Sequence, residues 1–460
     1  MNPFAPIRRS ALLALALAGC ASVADRFPDP SPAPAAEAAI LEDGLLATVR
    51  TLAGPVYAGR KAGTPEADRA ADWIAARFEA LGLEPAGDPG SGNGASGGFL
   101  QTFEFRPPKL RGHGSPHGEP EPDPEEPAPP LRTANVVGIL RAPKEAPGPS
   151  PREAVLLGAH YDHLGDGGPY SLRPAVKAVH PGADDNASGV AALLAAAGAL
   201  VRAGPLRRDV VFVAFSAEEF GLFGSARYAD RPAVPLPRTA AMVNLDMVGR
   251  LGTNRLAVYG TGTAPEWEPL LRRLAGPLGL ELTTVPDGIG PSDQTTFYLR
   301  GVPVLQFFTG SHPQYHTPDD TADRIDGPGL RRISVMVSRL VRLLADAPGR
   351  PDFRKTREPS AKPGESGLGR AYFGTLPDYA DPSDVPGVRL AAVTDGGPAA
   401  AAGLRAGDRI VSFAGEPVTD LQDYTDVLRR RAPGDKVEIE VLRDGRRIAL
   451  HAVLGDRANR

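Results

Sequence analysis

Residues 181–189 read PGADDNASG, and an apolar run at helical spacing (Val190, Leu193, Leu194, Leu200) follows at once. Asp and Asn ahead of such a run are ordinary N-caps, because their oxygens accept the unpaired N–H groups of the first turn. A cap needs one such residue, and here Asp184, Asp185 and Asn186 stand together. The surplus makes sense if a carboxylate points at something positive. Working outward, the same kind of signal recurs. Upstream is GAHYDH (158–163); downstream come SAEEFGLFGS (216–225), NLDMVG (244–249) and QYHTPDDT (314–321). His160, Asp185, Glu219, Asp246 and His316 follow one another along the chain, and we read them as the ligands of a dinuclear metal centre.

The segments carrying these residues decide the fold class. The runs 136–140, 154–158, 210–215, 240–245 and 302–308 are continuous apolar stretches, the pattern of strands buried on both faces. Helical runs at 190–203 and 265–276 lie between them. This alternation predicts an α/β domain: a mixed, largely parallel central sheet with helices on both faces. Sites in open α/β sheets gather at the carboxyl ends of the strands. Every candidate ligand falls at such an end, and chance is a poor account of five suitable residue types there.

The totals agree with a globular, multi-domain protein. The 460 residues suggest about three domains. Lys and Arg number 51 against 55 Asp and Glu, a net charge of −4 that favours neither a nucleic-acid partner nor an acidic tail. The 53 Gly and 49 Pro predict many loops and linkers. The one cysteine, Cys20, excludes disulfides and a thiol nucleophile in the body of the chain.

Arg8 and Arg9 precede an apolar run, 11–18, that is too short to span a bilayer and has the shape of a secretory signal. It ends Leu17-Ala18-Gly19-Cys20, which resembles the bacterial lipoprotein box. The resemblance implies a signal peptide over 1–19 and lipidation of Cys20, and Ala21 after it leans towards the outer membrane. The lipid would anchor the chain in the cell envelope without a transmembrane helix. Residues 20–38 read as a Pro/Ala tether. A helix is predicted over 65–81, capped by Thr64 and ended by Gly82. A strand is predicted over 99–105. The stretch 106–132 is rich in Pro and acid and reads as a solvated loop, with His113 and His117 as loop polar residues. Residues 39–347 then form one domain, closed by a helix over 330–345, with a linker over 348–367.

From residue 368 the pattern changes. Runs 388–393, 409–413, 436–442 and 447–453 read as strands and 421–431 as an amphipathic helix, with Asp444-Gly445 a hairpin turn. The segment 368–460 resembles a PDZ domain of the kind found on bacterial proteases, through Tyr372-Phe373-Gly374-Thr375, Gly397-Pro398, Ala402-Gly403-Leu404 and Gly407-Asp408-Arg409-Ile410. That family takes up a peptide as an added strand and holds its carboxylate on backbone N–H groups. The resemblance puts Tyr372, Phe373, Gly374 and Thr375 in the carboxylate loop. A packing module with an empty groove is the equal alternative.

Two divalent ions carry +4; Asp185, Glu219, Asp246 and one bridging hydroxide balance that charge. His and carboxylate ligands suit zinc. Two such ions about 3.5–4 Å apart activate a water and polarise a carbonyl. A base must still move the proton. Glu218 adjoins Glu219, and on a continuing strand their side chains diverge, one to metal and one to water.

These residues resemble the bacterial co-catalytic dizinc aminopeptidases, relatives of glutamate carboxypeptidase II. The likeness covers roughly 41–345 and is strongest over 160–321. It implies two Zn2+ per chain, with His160 and Asp246 on one, Glu219 and His316 on the other, and Asp185 bridging. It implies Glu218 as general base, Asp162 as the partner that orients His160, Tyr315 as a hydrogen-bond donor to the developing oxyanion, and a cis peptide at Asp185–Asn186. Ser292-Asp293-Gln294 departs from the Ser-Asp-His of many members, so Gln294 is given no role. Asp184, Asn186, Asp319 and Asp320 are expected to be caps and turn residues, and His163 and His180 polar lining. The resemblance thus implies a zinc aminopeptidase acting on peptides. Carboxypeptidase and glutaminyl cyclase are the related alternatives, and a lipid-anchored peptide-binding scaffold is the alternative of another class.

Overall fold

A computed structural model of the chain describes residues 23–28, 34–90, 98–107, 129–145, 152–252, 254–356, 371–377, 385–419 and 421–456. The signal and Cys20, His113, His117 and most of the 106–132 stretch lie outside them.

The larger domain is built on one nine-stranded mixed sheet. Its strands are β1 (Glu84–Pro85), β2 (Leu100–Phe105), β3 (Leu131–Leu140), β4 (Ala154–His160), β5 (Asp209–Phe215), β6 (Thr239–Leu245), β7 (Arg255–Tyr259), β8 (Glu281–Val285) and β9 (Val304–Phe308). The spatial order is β1-β3-β5-β4-β6-β9-β7-β8, with β2 beside β3. The central four, β5, β4, β6 and β9, run parallel. Every residue of β4, β5, β6 and β9 is buried, as continuous apolar runs require. Helices Pro65–Ala80, Gly189–Arg202 and Gly327–Asp346 pack their buried stripes onto this sheet. Thr64 caps the first of them, accepting the N–H of Ala67.

The structure departs from the sequence reading at the margins. β7 and β8 have no counterpart in it: β7 is short, and β8 is half-buried and lies at the sheet edge, so neither shows a long apolar run. Leu131 and Arg132, expected to end a loop, already pair with Phe105 and Glu104. Residues assigned to the tether are docked. Phe27 is fully buried in the main core, Arg26 donates to Glu266, Asp352 and the Arg350 carbonyl, and Arg339 pairs with Glu37. The start of the expected linker is docked as well, since the Arg354 N–H donates to the Thr263 carbonyl and Thr356 bonds Tyr298. In each case a few side-chain anchors outweigh a Pro-rich composition.

The smaller domain has a separate core around Phe373, Leu390, Ile410, Phe413 and Ile439. Its strands are β10 (Ala371–Tyr372), β11 (Thr375–Pro377), β12 (Val388–Val393), β13 (Arg409–Phe413), β14 (Glu416–Pro417), β15 (Lys436–Arg443), β16 (Arg446–Val453) and β17 (Gly455–Asp456). β11-β12-β13-β15-β16 form an antiparallel sheet, and helix Leu421–Arg429 packs on it. No described helix is long and apolar enough to cross a membrane.

Candidate metal centre

The four parallel strands deliver their following loops to one rim of the sheet. His160 is the last residue of β4, and Asp246 follows β6 directly. Asp185 sits in the turn that opens helix Gly189–Arg202. Glu219 follows β5, and His316 lies on the loop after β9.

Those loops bring the five side chains together. His160 Nε2 is 3.2 Å from Asp185 Oδ1 and 3.3 Å from Asp246 Oδ1. His316 Nε2 is 3.2 Å from Asp185 Oδ2 and 2.9 Å from Glu219 Oε2. Two groups result, His160–Asp185–Asp246 and His163–Asp185–Glu219–His316, each with donor atoms within 4.8 Å of one another. Asp185 belongs to both, one oxygen towards each.

The proton arrangement says what these groups suit. His316 gives its Nδ1–H to the Tyr170 carbonyl at 2.9 Å, and His160 places Nδ1 3.2 Å from the Asp162 carbonyl. Each Nε2 then faces carboxylate oxygens, which carry lone pairs, so a proton or a cation must stand between them. Against the effect of burial, the neighbouring carboxylates raise both imidazoles when no cation is there. A cation in the same place would meet donor atoms from every side, so the donor set fits a metal site.

The turn 181–189 explains its surplus of polar residues. Asp185 turns to the two histidines, and its peptide to Asn186 is cis. Asn186 does cap, accepting the Gly189 N–H at 2.9 Å, but it also accepts from Met247 N and donates to the Leu245 carbonyl. Asp184 accepts from the Gly249 N–H at 2.7 Å and faces His312 Nε2 at 3.2 Å. Both therefore clamp the Asp185 turn to the segment that presents Asp246. Asp320 does not cap a turn. Its Oδ2 accepts the N–H groups of Asp184 and Asp185 at 2.9 and 3.0 Å, and its Oδ1 faces Arg250.

Two residues were missed in the sequence. Arg60 is fully buried and donates to the carbonyls of Leu52, Tyr161, Pro181 and Gly182. Burial lowers its guanidinium to about 10, while Asp185 and Asp162 act the other way. Nothing in the local sequence marks it; only the fold carries it behind the acidic cluster. His163, expected to be polar lining, places its Nδ1 2.7 Å from Glu219 Oε1. The close spacing to His160 was the available signal. His180 is loop lining, bonded to Ser171 Oγ and the Ala178 carbonyl.

Glu218 and Glu219 do diverge, but by a turn and not by the pleat of a strand. β5 stops at Phe215, and Ala217 has a φ of +57°. Glu219 meets the histidines, while Glu218 lines the adjoining pocket. Burial pushes the Glu218 carboxyl well above the usual range, and Glu219 and Asp246 add to this. Asp162 Oδ1 accepts the Glu218 N–H at 3.1 Å, and that carboxylate stands 3.8 Å from His160 Nδ1. Its backbone carbonyl, not its carboxylate, makes the hydrogen-bond contact with His160. Tyr315 stacks on His316, with ring centroids 3.8 Å apart, and lines the pocket. Gln294, given no role, accepts from Asn244 at 3.4 Å behind the site.

Residues 135–341, which span β3 to the closing helix and hold all five of these side chains, match the description "Peptidase family M28". This domain belongs to that family. Residues 360–453 match the PDZ domain. Among curated proteins, the chain is 31% identical over 218 residues to "Aminopeptidase YwaD" of Bacillus subtilis, covering 45% of this chain and 44% of that one. It is 29% identical over 255 residues to "Probable lipoprotein aminopeptidase LpqL" of Mycobacterium tuberculosis, covering 46% and 48%. The chain thus spans about half the length of these relatives. The aminopeptidase of Aneurinibacillus sp. strain AM-1 superposes with a TM-score of 0.53 at 19% identity, covering 72% of this chain and all of that one. Porphyromonas gingivalis glutaminyl cyclase does so at 0.50 and 22%, covering 65% and 96%. Both share the fold of the M28 domain. Peptidase and cyclase stand on that one fold, so the fold alone does not separate their chemistries.

Proposed function

We propose that this M28 domain is a zinc aminopeptidase that releases amino-terminal residues from peptides. One observation carries the reading: two donor groups share Asp185, with Glu218 beside them on the same pocket. His160, Asp185 and Asp246 would hold one zinc ion, and Asp185, Glu219 and His316 the other. When bound, the pair would activate a water and polarise the scissile carbonyl. Glu218 accepts the proton of the attacking water and passes it to the leaving amine, a transfer suited to a carboxyl whose affinity for protons is raised by burial. Asp162 keeps His160 and the Glu218 backbone in register. Tyr315 donates a hydrogen bond to the oxygen that gains charge.

A donor set for two ions favours peptide hydrolysis over cyclisation, for which one zinc suffices. The names of the B. subtilis and M. tuberculosis relatives support the amino-terminal direction. On this reading Cys20 carries a lipid that holds the enzyme in a bacterial envelope, at the outer membrane, and the PDZ domain takes up a peptide on the Tyr372–Thr375 loop. A Cys20→Ser chain recovered in the soluble fraction would support the anchor.

The test uses the purified chain. Zinc content near two per chain, with turnover of aminoacyl anilides and none of amino-blocked peptides, is the expected result. Release of carboxy-terminal residues would make it a carboxypeptidase. Cyclisation of amino-terminal glutamine would make it a cyclase. A chain that binds no zinc is the peptide-binding scaffold.

A further inference from the structure

Leu376, on β11 of the PDZ domain, is only 6% exposed, yet it takes no part in that domain's core. It lines the same pocket as His160, Glu218 and Glu219. Strand alternation accounts for this. Thr375 Oγ1 lies 2.5 Å from the Tyr424 hydroxyl, so that face of β11 is turned to helix Leu421–Arg429. The next residue, Leu376, must point the opposite way.

The placement is fastened at two points. Ser311 Oγ donates to the Pro377 carbonyl at 3.1 Å. The Asp395 N–H donates to the Leu172 carbonyl at 3.2 Å, and the Leu172 N–H donates to the His316 carbonyl at 3.0 Å. Ser311 itself lines the pocket, on the loop that leads to His316. The PDZ domain therefore grips the two loops that present one of the metal-site histidines. The pocket's other apolar lining includes Met247, Tyr259 and Phe308, which belong to a small cluster apart from the main core.

We infer that Leu376 is a specificity-determining residue. The PDZ domain supplies one apolar wall of the substrate pocket, and Leu376 limits the size of the side chain that fits beside the metal site. The inference rests on the aminopeptidase reading above. It makes the preferred substrates peptides with a small or medium apolar first residue. An apolar wall discriminates by roughly 10–200-fold per methylene of misfit, so the limit is readable in kinetics.

The experiment compares kcat/KM of the zinc-loaded full-length chain on alanyl, leucyl and phenylalanyl p-nitroanilides. Leu376→Ala is expected to raise the phenylalanyl-to-alanyl ratio about tenfold, mainly through KM, with zinc content unchanged. Leu376→Trp is expected to lower it by a similar factor. If the tryptophan variant does not fold, Leu376→Val supplies a second, smaller step in the direction of alanine. Ratios unmoved in the folded variants of an active enzyme overturn the wall. A wild-type chain that cleaves none of the three sinks the aminopeptidase reading, and the wall falls with it.

Discussion

Asp320 holds Asp185 by its backbone: the same Oδ2 atom that accepts the Asp185 N–H at 3.0 Å also accepts that of Asp184 at 2.9 Å. The carboxylate shared by both donor groups is thus aimed by a second carboxylate that touches no histidine of the site. Burial raises the Asp320 carboxyl, with Asp184 adding to it, so this aim is achieved against a desolvation cost. Asp320→Ala leaves two buried N–H groups and Arg250 without their partner. We expect a loss of about 3–5 kcal/mol, the usual cost of breaking a buried charged contact. Urea unfolding measures it, and zinc affinity should fall in parallel because Asp185 is no longer held.

The two adjacent glutamates should separate cleanly. Glu218→Gln keeps both zinc ions and loses about 100- to 10,000-fold in kcat, the range for removing a general base. Glu219→Ala loses metal, because His316 and His163 lose the carboxylate they face. Metal analysis and steady-state rates on the same preparations decide it. Normal rates in Glu218→Gln with full zinc would refute its role.

Arg60 should resist conservative replacement. Its guanidinium serves four carbonyls spread over three segments, and a single ammonium cannot reproduce that fork. Arg60→Lys and Arg60→Met should both destabilise the fold, by about 3 kcal/mol or more for methionine, where the buried carbonyls and the acidic cluster lose their cation. Thermal unfolding of the two variants is the measurement, and a neutral methionine variant would contradict the role.

Chelation should lower the stability of the larger domain. Without cations, Nε2 of His316 and of His160 face carboxylate oxygens across gaps near 3 Å, and only protons stand in for the metal. Ligand that binds only the folded state adds about 2.7 kcal/mol at a hundred times its dissociation constant. Calorimetry with and without chelator should show a lower first transition in the stripped protein. The PDZ transition, resting on its own core, should move much less.

Within the PDZ domain, Asp408 is fully buried and accepts from Arg443 at 2.7 Å on both oxygens, and from the Arg405 N–H at 2.9 Å. Asp408→Ala should destabilise that domain by about 2–4 kcal/mol, since Arg443 is only partly exposed and loses a bidentate partner. Zinc content should be unchanged, and unfolding followed beside metal analysis separates the two effects.

Much of this molecule was legible in one dimension. Buried strands at 154–160, 209–215 and 239–245 are written as largely apolar runs because both faces of the central sheet are covered. His160, Glu219, Asp246 and His316 follow the ends of such runs, and Asp185 stands out through the surplus of polar residues in the turn 181–189. Less legible was everything held by a few long-range contacts. Pro-rich composition hid the docking of Phe27 and Thr356, and β8 was hidden by its half-buried, mixed face.

By itself, then, the sequence determined the α/β class, the order of the ligand-type residues and the second domain, because hydrophobic periodicity and turn chemistry are local properties of the chain. It could not determine what stands behind or opposite the site. Arg60 reaches the acidic cluster from a distant loop, Asp320 and His163 reach it from beside His316 and His160, and Leu376 reaches the pocket from another domain. Neither Arg60 nor Leu376 carries a local signal, since a buried cation or a shared wall is defined by what packs against it; His163 and Asp320 stand close in sequence to His160 and His316, but what they hold is set by the fold. Only closure of the tertiary structure brings those partners within bonding distance.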